Sequence, residues 1–144
     1  MIWLLRHGDA ESGRDDDARK LTAKGESQAE NAGRALAALG IRLDACLSSP
    51  KVRALDTASI VCRSLGVDPE PTEALAGDGF DPAALAAGHG ETLMVGHDPD
   101  FSRAIAQATG ARVEMKKGGL AGIEDGTLIT LLRPEQIALI AGEA

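Results

Sequence analysis

Residues 91–110 read ETLMVGHDPDFSRAIAQATG, and the chemistry of the chain changes twice within them. Thr92 to Val95 form a short run with no charged residue, the pattern of a strand buried on both faces. Gly96 and His97 turn out of it. Asp100 or Ser102 is then placed to cap a helix that carries Phe101, Ala104, Ile105 and Ala108 at helical spacing and stops at Gly110. A buried strand leading at once into an amphipathic helix is the repeating unit of α/β proteins.

The same unit recurs toward the N-terminus. Ile2–Leu5 (IWLL) predicts a buried parallel strand, followed by a polar, turn-rich loop from Asp9 to Lys20. The next stretch, LTAKGESQAENAGRALAALG, predicts a helix with Thr22 as N-cap, Ala29, Ala32, Leu36 and Leu39 on its apolar side, and Gly40 at its end. Gly25 weakens the first turn of that helix, a cost that close approach of neighbouring backbone would justify. A strand at Ala45–Leu47 ends in Ser48, Ser49 and Pro50. A second helix follows with Val52, Leu55, Ser59, Cys62 and Leu65 on one side, closed by Gly66.

Residues 68–90 are rich in proline and glycine, with an edge strand near Glu70–Thr72 and a short helix over Pro82–Ala87. Beyond Gly110, the Asp125-Gly126 pair predicts a tight hairpin into TLITLL. The tail EQIALIAGEA fits a strand or a helical turn equally well. The alternation of strand and helix gives an α/β expectation: a three-layer, open, mainly parallel sheet with helices on both faces, in one domain spanning residues 1–144.

Bulk properties narrow the function. With 15 Lys and Arg against 22 Asp and Glu the chain carries a net charge of −7, so nucleic acid and anionic membranes are poor partners and any anion site must be locally positive. Cys46 and Cys62 lie in apolar contexts with no metal-binding spacing, which suits small core residues in a reducing compartment. Arg6 interrupts the first apolar run too early for a leader or membrane span, so a cytoplasmic location is expected.

Three segments place unusual polar residues directly after expected strands: LLRHG, CLSSPKVR and LMVGHD. In open α/β sheets, ligands bind beyond the carboxyl ends of strands, so Arg6, His7, Ser48, Arg53 and His97 are expected around one pocket. Two arginines and two histidines repel one another unless an anion compensates them, and phosphate matches the guanidinium fork. A histidine nitrogen can attack phosphorus to give a phosphohistidine that water hydrolyses, while the other cations hold the equatorial oxygens. His7 is the preferred nucleophile, because Gly8 permits a tight turn in which a backbone carbonyl orients the second ring nitrogen. Ser48 could add a hydroxyl or backbone donor beside the second helix. A metal site of His7, Asp9, His97 and Asp98 is the competing arrangement, disfavoured because Arg6 and Arg53 would repel a cation. His89, between glycines, is assigned no role.

LLRHGDA (residues 4–10), LSSPKVRALDTA (47–58) and LMVGHDPDFS (93–102), in that order, resemble the histidine phosphatase superfamily, the phosphoglycerate mutase-like group, and in particular its short bacterial phosphohistidine phosphatase branch. The resemblance implies a phosphoglycerate mutase-like fold, His7 as the phosphorylated nucleophile, and Arg6, Arg53 and His97 as phosphate ligands. It implies a metal-independent hydrolase with no cofactor. Larger members supply an acidic proton donor from an inserted segment, which is short here. Glu73 is the best-placed carboxylate, and Asp9 the second choice.

Lack of an evident acid favours a labile leaving group. A sugar alkoxide needs protonation, typically worth a hundredfold or more, whereas the imidazole of a phosphohistidine departs more readily. The expected substrate is therefore a phosphohistidine-containing signalling or phosphotransfer protein. The alternatives are a phosphatase acting on a small phosphorylated metabolite and a non-catalytic module that binds phosphoproteins. The charged loop Arg14–Lys20 could border the entrance, and Lys116 and Lys117 could guide an acidic protein. The sequence does not determine an oligomeric state.

Overall fold

Residues 1–142 are described by a computed structural model. Its strands are β1 (Ile2–Arg6), β2 (Ala45–Ser48), β3 (Pro69–Pro71), β4 (Thr92–Gly96), β5 (Leu120–Glu124) and β6 (Thr127–Leu132). They form one sheet in the order β3-β2-β4-β1-β5-β6. The pairs β3–β2, β2–β4 and β4–β1 are parallel, while β1–β5 and β5–β6 are antiparallel. β1 is thus parallel to only one neighbour. The sheet is mixed but mainly parallel, as the alternation of elements implies.

The helices are α1 (Ala23–Ala38), α2 (Val52–Cys62), α3 (Pro82–Ala86), α4 (Asp100–Thr109) and α5 (Pro134–Ile140). Because successive strand residues point to opposite faces, each central strand feeds two cores. Trp3 and Leu5 join Leu36, Ala58 and Ile137 under α1, α2 and α5. Leu4 and Met94 join Ala86, Phe101 and Ile105 under α3 and α4. Two apolar layers around one sheet give the three-layer α/β fold.

Several local expectations are met by the chemistry that motivated them. Thr22 caps α1, its side chain accepting from the Gly25 amide. The turn between β5 and β6 has φ of 48° at Asp125 and 73° at Gly126, both left-handed, as a tight two-residue hairpin needs. β3 is an edge strand of two prolines around Glu70, where missing N–H donors do least harm.

Two local expectations are corrected and one open choice is decided. The buried residues of α2 are Arg53, Ala54, Thr57, Ala58, Val61 and Cys62, leaving Val52, Leu55 and Ser59 half-buried. Polar Arg53 and Thr57 occupy part of the inward face, so hydrophobic spacing gave the wrong rotation. Neither Asp100 nor Ser102 caps α4; the Asp98 carboxylate instead accepts from the Ser102 amide at 2.9 Å. The ambiguous tail is helical through Ile140, opened by Pro134 at its first turn, with the Arg133 amide donating to Gln136 Oε1.

β4 lies between β1 and β2, so the chain crosses from β1 to β2 over the place that β4 later fills. That crossover sets the carboxyl ends of the three strands side by side, with Arg6 level with Gly96 and Ser48 level with Val95. This is where α/β sheets bind ligands.

Candidate active site

The alternation of β1 decides how its last residues reach the site. Arg6 continues the face of Leu4 and extends toward Met115, whose carbonyl accepts from Arg6 Nη1 at 2.8 Å. His7 continues the opposite face, that of Leu5 and α2. Its amide donates to the Gly96 carbonyl at 3.0 Å, so the nucleophile candidate is anchored to the end of β4.

His7 is 5% exposed, and its Nδ1 lies 2.7 Å from the Gly8 carbonyl oxygen. A carbonyl can only accept, so Nδ1 carries the proton and the lone pair resides on Nε2. Burial is the main cause that lowers the His7 pKa to about 4; the Gly8 bond opposes this, and the charges of Arg53, Arg6 and Lys117 reinforce it. His7 is therefore neutral near pH 7.

The orienting carbonyl belongs to Gly8, as a tight local arrangement predicts, but the need for glycine differs from the expected one. A Cβ at Gly8 would lie 2.6 Å from the Gly25 carbonyl oxygen, and one at Gly25 would run into the carbonyl oxygen of Asp9. Two backbone segments touch here, and each requires glycine. The Gly8 amide donates to Thr57 Oγ1 at 3.2 Å, and Thr57 donates to the Arg53 carbonyl at 2.7 Å, tying the loop to α2.

His97 faces His7, with ring centroids 5.2 Å apart. Its Nε2 is 2.7 Å from the hydroxyl of Ser49. Burial is again the main reason its pKa falls, to about 3, with His7, Arg53 and Lys51 adding to the effect and Asp16 opposing it. The Ser48 hydroxyl donates to the Ser49 carbonyl at 2.9 Å, and it is the Ser49 hydroxyl that meets His97. Strand alternation sends adjacent serines to opposite sides, which the SSP motif alone cannot assign.

Arg53 is 5% exposed and is held by the polar loop, donating through Nη1 to the Asp16 carbonyl at 2.6 Å and through Nη2 to Asp16 Oδ2 at 3.2 Å. Lys51 Nζ also lies 3.5 Å from Asp16 Oδ2. Burial pushes the Asp16 carboxyl up, but Arg53, Arg19 and Lys51 together bring it below its ordinary value. Arg6 Nε, Arg53 Nε and His97 Nδ1 are buried and make no hydrogen bond within the protein. Buried guanidinium N–H groups left without a partner suit an anion with several oxygens.

The carboxylates expected to supply a proton are placed differently. Asp9 Oδ2 accepts from Thr22 at 2.8 Å and Oδ1 lies 3.7 Å from Lys117 Nζ. Glu73 is exposed in a short 3-10 turn, Glu73–Leu75, and makes no hydrogen bond through its side chain to His7 or His97. Asp98 accepts from Ser102. The alternative set of His7, Asp9, His97 and Asp98 is thus not gathered, and among the described residues no group of three or more His, Cys, Asp or Glu could hold a metal. His89 is exposed, away from these contacts. Ser49, Thr57 and Asp16 were missed; the i, i+4 spacing of Thr57 from Arg53 was a usable signal, since it puts both on one helix face.

A neutral, oriented histidine thus stands beside a second histidine, with unpartnered buried arginine nitrogens nearby, at the carboxyl end of a mainly parallel sheet. The chain belongs to the histidine phosphatase superfamily (branch 1), whose sequence pattern matches residues 2–79. It is 34% identical over 140 residues to an uncharacterized protein of Picosynechococcus sp., covering 87% of this chain and 85% of that one. It is 39% identical over 70 residues to the Drosophila melanogaster serine/threonine-protein phosphatase Pgam5, mitochondrial, matching 48% of this chain but only 24% of that protein. Its fold superposes on the protein histidine phosphatase SixA complexed with tungstate, with a TM-score of 0.79, 21% identity, and coverage of 92% of this chain and 96% of that one. The α-ribazole phosphatase of Shigella flexneri shares the fold at a TM-score of 0.70 and 19% identity, over 92% and 96% of the two chains.

Proposed function

We propose that the protein is a phosphohistidine phosphatase acting on a phosphorylated signalling or phosphotransfer protein. The observation that carries this reading is the His7 tautomer: Nδ1–H is committed to the Gly8 carbonyl, and Nε2 keeps its lone pair at neutral pH. In the first step Nε2 attacks phosphorus, a P–N bond forms to His7, and the P–N bond to the substrate imidazole breaks. The departing imidazole takes its proton from solvent. In the second step water adds to phosphorus, the bond to His7 breaks, and orthophosphate leaves.

Arg6, Arg53 and His97 would stabilise the oxygens of the transferring group, since catalysis of phosphoryl transfer is largely positioning and charge stabilisation. No residue in this scheme requires a metal or cofactor. The engaged Asp9 and exposed Glu73 support a substrate whose leaving group needs little acid assistance. The similar fold of SixA, described as a protein histidine phosphatase, supports the same substrate class. No helix of the described residues is long and apolar enough to cross a membrane, and two buried free cysteines suit a reducing cytoplasm.

A substrate panel tests the reading. Phosphohistidine protein should be hydrolysed with a kcat/KM at least about tenfold above that for sugar phosphates or α-ribazole phosphate, because protonation of an alkoxide leaving group is unassisted. A preference for a phosphate monoester would assign the pocket to small metabolites instead. Phosphate binding without turnover of any substrate would leave a binding module.

A further inference from the structure

The turn that follows Met115 is fastened to the backbone of the nucleophile candidate. The Gly118 amide donates to the carbonyls of Arg6 and His7 at 3.1 and 3.0 Å, and the Arg6 amide donates to the Gly119 carbonyl at 3.0 Å. Lys116 and Lys117 are therefore held at a fixed place beside the pocket while their side chains stay exposed. Lys117 is close enough for its charge to contribute to the lowered His7 pKa.

Beyond this turn a cavity of about 590 Å³ opens, lined by Arg6, Lys24, Lys116, Lys117 and Arg133. Its acidic lining residues are Asp9, Glu114 and Glu135. Five cations against three anions leave a local charge of +2 on a chain whose net charge is −7. Glu114 engages Lys116 at 3.0 Å in an exposed pair, and Asp9 engages Lys117 at 3.7 Å in a partly exposed one. Such pairs are weak and can exchange for a better anion. Lys24 and Arg133 are exposed and form no ion pair among the described residues.

We propose that this groove, which borders the histidine site at Arg6, seats an acidic stretch of the protein substrate flanking its phosphohistidine. The inference rests on the phosphohistidine phosphatase reading and adds where the partner lies and what chemistry it carries. Charge complementarity selects it: the rest of an acidic enzyme repels an acidic protein, so productive encounters concentrate where the potential is locally positive. A neutral or basic segment would leave Lys24 and Arg133 without partners.

The test uses two phosphohistidine peptides, one with Asp and Glu flanks and one with Ser and Gln flanks. The wild-type protein should prefer the acidic peptide by about tenfold in kcat/KM at low salt, and the preference should shrink as ionic strength rises. The double variant Lys24→Glu, Arg133→Glu should bring the ratio near one; Lys24→Gln, Arg133→Gln, a milder change at exposed positions, should reduce it. No preference in the wild type, or one that survives the double variant, overturns the proposal.

If neither peptide is cleaved while p-nitrophenyl phosphate is, the substrate assignment fails and the groove is read by competition. An unphosphorylated acidic peptide should then inhibit p-nitrophenyl phosphate hydrolysis in the wild type but not in the double variant; absence of inhibition overturns the groove as well. Stronger inhibition by pyrophosphate than by the peptide, lost in the double variant, would assign it to a second phosphate of a small molecule and also overturn it.

Discussion

His7 and His97 face each other with ring centroids 5.2 Å apart and planes inclined at 58°, both buried and both within reach of the charge of the buried Arg53. Two imidazoles so close to a guanidinium are stable together because both are neutral. In the absence of a bound anion, protonating either one would place a second or third positive charge in a buried space.

Neutrality has a direct spectroscopic consequence. In the ligand-free protein the Cε1 proton resonances of His7 and His97 should hold still from pH 8 to pH 5, moving only as pH approaches about 4 and 3. A titration centred near 6.5 for either ring would contradict the burial argument.

The same shifts act on stability. The folded pKa of His7 lies below the unfolded value of 6.5, so its contribution is fully present above 6.5 and is lost as pH falls toward about 4. The difference corresponds to about 3 kcal/mol for His7, with a further loss from His97 that is coupled to it. Urea unfolding at pH 8, 6 and 4 should show this decline in the wild type and a smaller one in His7→Asn. Equal declines would mean that other groups dominate acid sensitivity.

Thr57 carries a bond that hydrophobic patterning hides. Thr57→Val keeps the shape but leaves the buried Gly8 amide without its acceptor at 3.2 Å. Stability should fall by about 1–3 kcal/mol, and kcat should fall several-fold as the Gly8 carbonyl loses its hold on His7. Chemical denaturation and steady-state kinetics measure both effects. An unaffected kcat would separate the Thr57 bond from the orientation of His7.

Gly25→Ala should be as damaging as a core change, although an alanine inside a helix is normally favourable. The new Cβ meets the Asp9 carbonyl oxygen, backbone that cannot swing aside, so the loop after His7 must move. A loss of about 1–3 kcal/mol is expected, with reduced activity. A rise in melting temperature would show that the two segments do not touch.

Much of the site was legible because its residues end strands or begin helices. Arg6, His7 and His97 follow runs too apolar to be loops, and strand-helix alternation brings them to one end of the sheet. The rotation of α2 was not legible, since Arg53 and Thr57 occupy inward positions that hydrophobic spacing reserves for apolar residues. That Ser49 meets His97 depends on which side of β2 each serine leaves, which needs the pairing of β2 with β4. Asp16 lies in a run of three adjacent aspartates, and only the path of the loop selects the one that meets Arg53.

Asp16 competes for the donors that an anion would use. Asp16→Ala should lower the inhibition constant of inorganic phosphate, by about threefold, because Arg53 is released and a nearby negative charge is removed. Stability should change little, as the Asp16 side chain is 58% exposed. Weaker phosphate inhibition in the variant would instead make Asp16 a support for Arg53.

Rapid-quench labelling with a phosphohistidine protein carrying ³²P, followed by peptide mapping, addresses the central claim directly. The expected result is an acid-labile, alkali-stable phosphoryl group on the peptide containing His7, formed and lost at rates compatible with turnover and absent in His7→Ala. Turnover without any adduct on His7, or label on another residue that persists in His7→Ala, would contradict it.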